Sequence, residues 1–136
     1  MIVADANLIS YFAVRDELHS VLADEVCAID ACWAAPWLWR SEVRSTLMKY
    51  INYSGMKLET ALLAFHTAEE IIGGREYRVS SEKVLELAVR SKCTAYDCEY
   101  VALAEELGVP LVTADKQLLK AFPKIAVSLA EFAKRK

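Results

Sequence analysis

Histidine is scarce in this chain: two in 136 residues, His19 and His66, each on a helix-like stretch far in sequence from the acids that matter below. That sets aside Ser-His-Asp and Cys-His nucleophiles and histidine-rich zinc sites. Glycine and proline are few, four and three. Neither a G-x-x-x-x-G-K-[ST] nor a G-x-G-x-x-G loop occurs, so the usual phosphate cradles of nucleotide-binding folds are missing. No excess of positive charge exists either. Sixteen Lys+Arg face nineteen Asp+Glu for a net charge of -3, which argues against gripping nucleic acid by bulk charge. No uncharged apolar run approaches the ~18 residues of a membrane span. The start, Met1-Ile2-Val3-Ala4-Asp5, meets a carboxylate with no basic segment before it, unlike a signal peptide. A cytoplasmic protein without a membrane partner is the expectation. The four cysteines form two C-x4-C pairs, Cys27/Cys32 and Cys93/Cys98, inside apolar stretches. They read as reduced structural thiols rather than zinc ligands or disulfides.

What is present is a foldable core. A hydrophobic fraction of 55% with 26% charged residues excludes disorder. A chain of this length buries roughly two-thirds of its unfolded surface. No linker or repeat divides it, so a single domain over 1–136 is expected. Short apolar runs alternate with helical periods, the pattern of an α/β domain with a mostly parallel sheet of four to five strands flanked by helices. Strands are expected at Ile2-Val3-Ala4, Cys32-Trp33-Ala34-Ala35, Tyr77-Arg78-Val79, Pro110-Leu111-Val112-Thr113 and Ile125-Ala126-Val127. Helical stretches run from about Asn7, through Leu18, Val21, Leu22 and Val26, from Pro36 past Leu47, and from Lys57 to Ile72. The Lys57–Ile72 helix should bury Leu58, Ala61, Leu62, Phe65, Ala68 and Ile72. Two more follow, one capped at Ser80 or Ser81 and one from Thr94 to Gly108 that is apolar on nearly every side. Trp33, Trp37 and Trp39 suit the core or a dimer contact, and base stacking is also open to them.

These elements place the acids. In a parallel α/β sheet each strand ends at one edge and the next helix begins there. Asp5 closes the first strand, and Asp115 follows the Leu111 strand. Asp97 lies in the first turn of the long apolar helix, and Glu42 about six residues, or ~9 Å, into the helix after Pro36. Four carboxylates therefore converge on the carboxyl edge, where open α/β folds bind ligands. Crowded carboxylates raise one another's pKa unless a cation lies between them. An all-oxygen set suits Mg²⁺ or Mn²⁺. Such an ion polarises a phosphoryl oxygen and activates water, so phosphodiester hydrolysis is the reaction class these acids suggest. Each acid also has a local role open to it: Asp5 and Asp115 as helix caps, Asp97 as a first-turn carboxylate, Glu42 as a solvated residue between Arg40 and Arg44. Asn7 and Thr113 are candidate supporting groups for the cluster, or satisfy local backbone.

The stretches Val3-Ala4-Asp5-Ala6-Asn7, Ala34-Ala35-Pro36 through Trp39-Arg40-Ser41-Glu42-Val43-Arg44, Tyr96-Asp97-Cys98-Glu99-Tyr100-Val101-Ala102-Leu103-Ala104 and Pro110-Leu111-Val112-Thr113-Ala114-Asp115 resemble, in order and spacing, the PIN-domain family. Within it the resemblance is to the VapC-type toxin ribonucleases of toxin–antitoxin pairs. It implies a PIN-like fold and a metal-dependent endoribonuclease acting on single-stranded or loop RNA. Asp5, Glu42, Asp97 and Asp115 would be the acidic quartet holding Mg²⁺ or Mn²⁺, and Asn7 and Thr113 supporting polar residues. A homodimer and a small inhibiting antitoxin are implied as partners. Cys98 departs mildly from the family, where a small residue such as alanine is common. The four acids exceed the whole net charge, so the remaining surface is near neutral. Arg40 and Arg44 are candidates to hold RNA phosphates, or else helix-surface ion-pair partners. Two other readings share these features: a catalytically silent PIN-fold interaction module, and an aspartyl-phosphate phosphatase or receiver domain, which would need a lysine at a later strand end.

Overall fold

Ile2, Val3 and Ala4 offer a dry interior nothing but apolar side chains and backbone groups, so the backbone must be paired on both sides. It is: Ile2 N–H donates to Cys32 O at 3.0 Å and Val3 N–H to Pro110 O at 2.9 Å. The computed structural model describes residues 1–135. Its central strand β1 (Ile2–Ala4) lies between β2 (Trp33–Pro36) and β4 (Leu111–Val112), flanked by β3 (Glu76–Tyr77) and β5 (Ala126–Val127). The order is β3-β2-β1-β4-β5 and every neighbouring pair is parallel. Val3 pairs with Ala34 on one side and Leu111 on the other. From β1 the chain winds outward to β2 and β3, then crosses back to β4 and β5. The winding direction thus reverses at the β1–β4 pair, where a crevice opens beyond the strand ends.

Around the sheet, among the described residues, lie α1 (Ala6–Ala13), α2 (Ser20–Ile29), α3 (Trp39–Ser54), α4 (Leu58–Ile72), α5 (Ser81–Ser91), α6 (Ala95–Leu107), α7 (Lys116–Ala121) and α8 (Leu129–Ala133). Helix α6 carries the core. Cys98, Tyr100, Val101, Ala102, Leu103 and Ala104 are all buried, and the helix packs on β1, β2 and β4. Thr94 caps it, its hydroxyl accepting from Asp97 N–H at 3.1 Å. Helices α3 and α4 form a hairpin closed by Gly55, whose φ of 70° is the left-handed turn that suits glycine. The four cysteines are free. The mixed α/β architecture with a parallel sheet is the expected one.

Several details differ from expectation. Pro36 ends β2 instead of opening a helix. Ala35 N–H donates to the Arg75 carbonyl just before β3, and Trp37 N–H to the Tyr77 carbonyl on it. Pro36, between them, faces the β1 side beyond the end of that ladder, so its missing N–H costs nothing there. Helix α3 consequently starts at Trp39, and Glu42 lies in its first turn, closer to the sheet edge than the Pro36 start implied. Strand β3 pairs one residue earlier than Tyr77-Arg78-Val79, because its register is set by Ala35 against Glu76. Helix α4 buries Ala61, Ala64, Ala68 and Ile72 and leaves Leu58, Leu62 and Leu63 exposed. Its small residues permit close packing on α1, and packing distance rather than leucine content sets the buried face. Leu18 and Val21 are exposed as well, as is Tyr96 at the start of α6. Of the tryptophans, Trp33 and Trp39 are fully buried, and Trp37 is 53% exposed.

Candidate active site

The β1–β4 crevice is a cavity of about 640 Å³ whose lining includes Asp5, Glu42, Asp97 and Asp115 together with Asn7 and Lys49. Four acids from four segments thus face one space. Two of them are placed by a local backbone need. Asp5, the N-cap of α1, accepts from Ala6 N–H through Oδ1 at 2.7 Å. Its Oδ2 accepts from the Thr113 hydroxyl at 2.6 Å and from Asn7 Nδ2 at 3.3 Å. Asp115 caps α7, Oδ1 accepting from Gln117 and Leu118 N–H. Asp97 projects from the first turn of α6 and Glu42 from that of α3. Capping and convergence are therefore one arrangement for Asp5 and Asp115: one oxygen serves the helix end while the residue faces the cavity.

Thr113, fully buried, ties the strand ends together. Besides donating to Asp5, its hydroxyl accepts from Asp115 N–H at 3.0 Å and from Asn7 Nδ2 at 3.3 Å. Asn7 Oδ1 accepts from Ala114 N–H at 3.1 Å. Asn7 and Thr113 thus contact the acids and satisfy local backbone at once, fixing the β4–α7 turn against β1.

Among the described residues, none of the four carboxylates forms an ion pair. Burial, opposed by the hydrogen bonds from Thr113 and Ala6 and reinforced by the charges of Glu42 and Asp97, pushes the Asp5 carboxyl up to about 7. Burial also raises Glu42 and Asp97, with Asp97 adding to the first and Asp115 to the second. No three His, Cys, Asp or Glu side chains among the described residues are yet close enough to ligate a single ion. The donor chemistry nevertheless fits a hard divalent cation: oxygen ligands only, mutual repulsion, and no ion pair among the described residues to relieve it.

Arg40 and Arg44 do not line this cavity. Arg40 Nε donates to Glu76 Oε1 at 2.6 Å and its NH1 to Glu69 Oε2 at 2.9 Å; Arg44 donates to Ser41 Oγ and lies over the Phe65 ring. Of the two roles open to Arg40 in the sequence, the structure selects the ion pair, because Glu69 and Glu76 fold back against α3. The cation that does reach the rim is Lys49, with Ser41 and Ser45 on the same face of α3. Their spacing of four residues is the signal in the sequence that reveals them. A second side chain outside the motif is Tyr100, fully buried, whose hydroxyl donates to Glu42 Oε1 at 2.7 Å. It sits three residues after Asp97, hence on the same side of α6. The histidines stay apart: His19 stacks on Tyr11 and His66 pairs with Glu70.

A parallel sheet in this strand order, with acids gathered beyond β1 and β4, defines a PIN-like α/β domain. Ribonuclease VapC3 of Pyrobaculum aerophilum is 31% identical to the chain over 132 residues, spanning 91% of this chain and 96% of its own length. The chain belongs to the VapC-type branch of the PIN-domain family. The crystal structure of PAE2754 from Pyrobaculum aerophilum superposes with a TM-score of 0.74, covering 98% of this chain and 94% of its own at 23% identity, a likeness of fold. No protein-family model matches the chain.

Proposed function

We propose that this protein is a toxin ribonuclease of the VapC type, a metal-dependent endoribonuclease that hydrolyses RNA phosphodiester bonds at the β1–β4 crevice. The observation that carries the reading is the set of four carboxylates lining one cavity with no cation among the described residues paired to any of them. Asp5, Glu42, Asp97 and Asp115 would hold Mg²⁺ or Mn²⁺, which when bound polarises a phosphoryl oxygen and lowers the pKa of water.

The chain's own part is placement. Thr113 and Asn7 hold Asp5 and fix its orientation, and Tyr100 does the same for Glu42. Lys49, exposed and without an ion pair among the described residues, offers charge to the RNA backbone at the rim, with the Ser41 and Ser45 hydroxyls beside it. A small antitoxin and a second copy of the chain are the protein partners this reading carries. The exposed Leu58, Leu62 and Leu63 of α4 supply apolar surface for one of them. The compartment is the cytoplasm, where RNA and antitoxin are made.

The test is cleavage of an end-labelled single-stranded RNA with Mg²⁺, with Mn²⁺ and with EDTA. Cutting under either ion and none in EDTA is expected. RNA left whole under both ions overturns the reading and leaves an interaction module with the PIN fold.

A further inference from the structure

A second cavity, of about 430 Å³, opens beside the acid pocket, walled by Trp37, Tyr77, Arg78, Val84, Leu85 and Glu99. The two are neighbours by construction. Trp37 precedes Leu38, which lines the acid pocket, and Glu99 stands near enough to Glu42 for the two charges to repel. Three features set this cavity apart from an ordinary surface dent. Trp37 is half-exposed, yet held: its backbone N–H donates to Tyr77 O at 3.2 Å and the Arg40 guanidinium lies 5.5 Å from its ring centroid. Arg78 and Glu99 both face the cavity, and neither forms an ion pair among the described residues. Val84, buried, and Leu85, exposed, add apolar lining. A flat ring platform, a free guanidinium and a free carboxylate around an apolar slot are the parts that recognise a heteroaromatic ring carrying acceptors on one edge and donors on another.

Resting on the nuclease reading above, we propose that this cavity binds a guanine base of the RNA strand whose backbone lies in the acid pocket. Guanine presents N7 and O6 as a paired acceptor edge for the Arg78 fork, and its N1–H and N2 amino group as a paired donor edge for Glu99. Adenine puts an amino donor where guanine has O6 and lacks the paired donors. Trp37 supplies the stacking face. The cavity is thus a specificity site, and it sets which nucleotide lies next to the bond that is cut.

The experiment uses the intact chain in EDTA, so that nothing is cleaved. Four single-stranded RNA heptamers, differing only in the central base, are titrated against tryptophan fluorescence. Trp33 and Trp39 are fully buried, so quenching by added RNA reports on Trp37. The midpoint for the guanine heptamer is expected at about tenfold lower concentration than for the adenine heptamer, and Arg78→Ala and Glu99→Gln should each remove most of that gap. Trp37→Ala should weaken binding of the guanine heptamer, followed by anisotropy of a labelled strand, by about tenfold. Equal midpoints for all four heptamers, an absence of quenching, or a guanine preference that survives both Arg78→Ala and Glu99→Gln overturns the proposal. So does a drop in oligomeric state of Trp37→Ala in sedimentation with heptamer binding unaltered, since the cavity would then be covered by a second copy. The two readings fail separately. Guanine-selective quenching with no cleavage under Mg²⁺ or Mn²⁺ sinks the nuclease and keeps the base site, whereas cleavage indifferent to the central base, with no quenching, does the reverse.

Discussion

Arg40 and Glu42 leave the first turn of α3 two residues apart, yet their surroundings resolve charge in opposite ways. Arg40 meets two carboxylates, Glu69 and Glu76, and stacks over Trp39 at 5.1 Å. The Glu76 side chain is only 7% exposed, but Arg40 and the Trp39 indole N–H both donate to its Oε1. Every charge in that cluster has an opposite partner within the molecule, one guanidinium serving two carboxylates. Glu42 meets a phenol, and beyond it three more acids. Its Oε1 is satisfied by Tyr100, but among the described residues no cation pairs with the cluster, Lys49 standing only at the rim. A partly buried cluster of one sign is relieved when its members take up protons or a cation arrives. The lesson is that a charged group's partners, more than its type or its neighbours along the helix, separate structure from function.

The sharpest way to break the contrast is Asp97→Asn. If the acid pocket serves chemistry, RNA cleavage falls about a thousandfold, the several kcal/mol that a lost metal-side interaction costs. The melting temperature without metal holds or rises, because one repelling charge is gone. Equal cleavage by both proteins would place the chemistry elsewhere.

A pH series on metal-free protein tests the same imbalance without RNA. The Asp5 carboxyl, raised to about 7 in the fold, binds a proton more tightly folded than unfolded. Its contribution to stability is fully present below the unfolded carboxylate range near 4, and is lost as pH rises through about 7. Stability should fall by roughly 2 kcal/mol between pH 5 and pH 8. Mg²⁺ should restore it at pH 8 more than at pH 5, since the ion competes with the proton. Asp5→Asn should flatten the profile while keeping the Ala6 cap, as asparagine offers the same acceptor. A profile that rises with pH would show that Asp5 is ionised in the metal-free fold.

On the paired side, Arg40→Ala should cost about 2 kcal/mol of stability, because Glu76 is left buried with a lost charged partner. Thermal or urea unfolding measures it. At a temperature where the variant is folded, its cleavage rate should fall far less than that of Asp97→Asn. A larger effect on cleavage than on unfolding would restore Arg40 as a phosphate contact.

Much of this was legible from residue order. Asp5 and Asp115 end strands or follow them, and Asp97 begins a helix that returns to the sheet, so their meeting follows from parallel topology alone. Glu42 reached the same edge despite a helix that starts later than Pro36, since one turn of displacement moves it only nearer. The role of Arg40 was not legible. Its partners lie 29 and 36 residues onward, and only the α3–α4 hairpin and the short β3 pairing bring them back. The outward leucines of α4 were hidden for a related reason: alanine and leucine carry the same apolar signal, and only the distance of approach to α1 separates them. Lys49 and Tyr100 could be found at helical spacing from the acids, but such spacing recurs along any helix and gains meaning only once the cavity is known.

Tyr100→Phe gives the finest discrimination between the two clusters. The phenol is fully buried, and burial holds its pKa well above the ordinary value, so it remains a donor to Glu42 across the working pH range. Removing that one oxygen leaves the packing of α6 nearly intact while Glu42 loses the hydrogen bond that lowers its pKa. The acid limb of the pH–rate profile should therefore move to higher pH. The Mg²⁺ concentration giving half-maximal cleavage should rise about tenfold, in the range seen when a group that orients a metal ligand is lost. A merely structural tyrosine would lower the melting temperature and leave both readings where they were. The outcome thus separates a residue that tunes the acid pocket from one that only fills the space behind it.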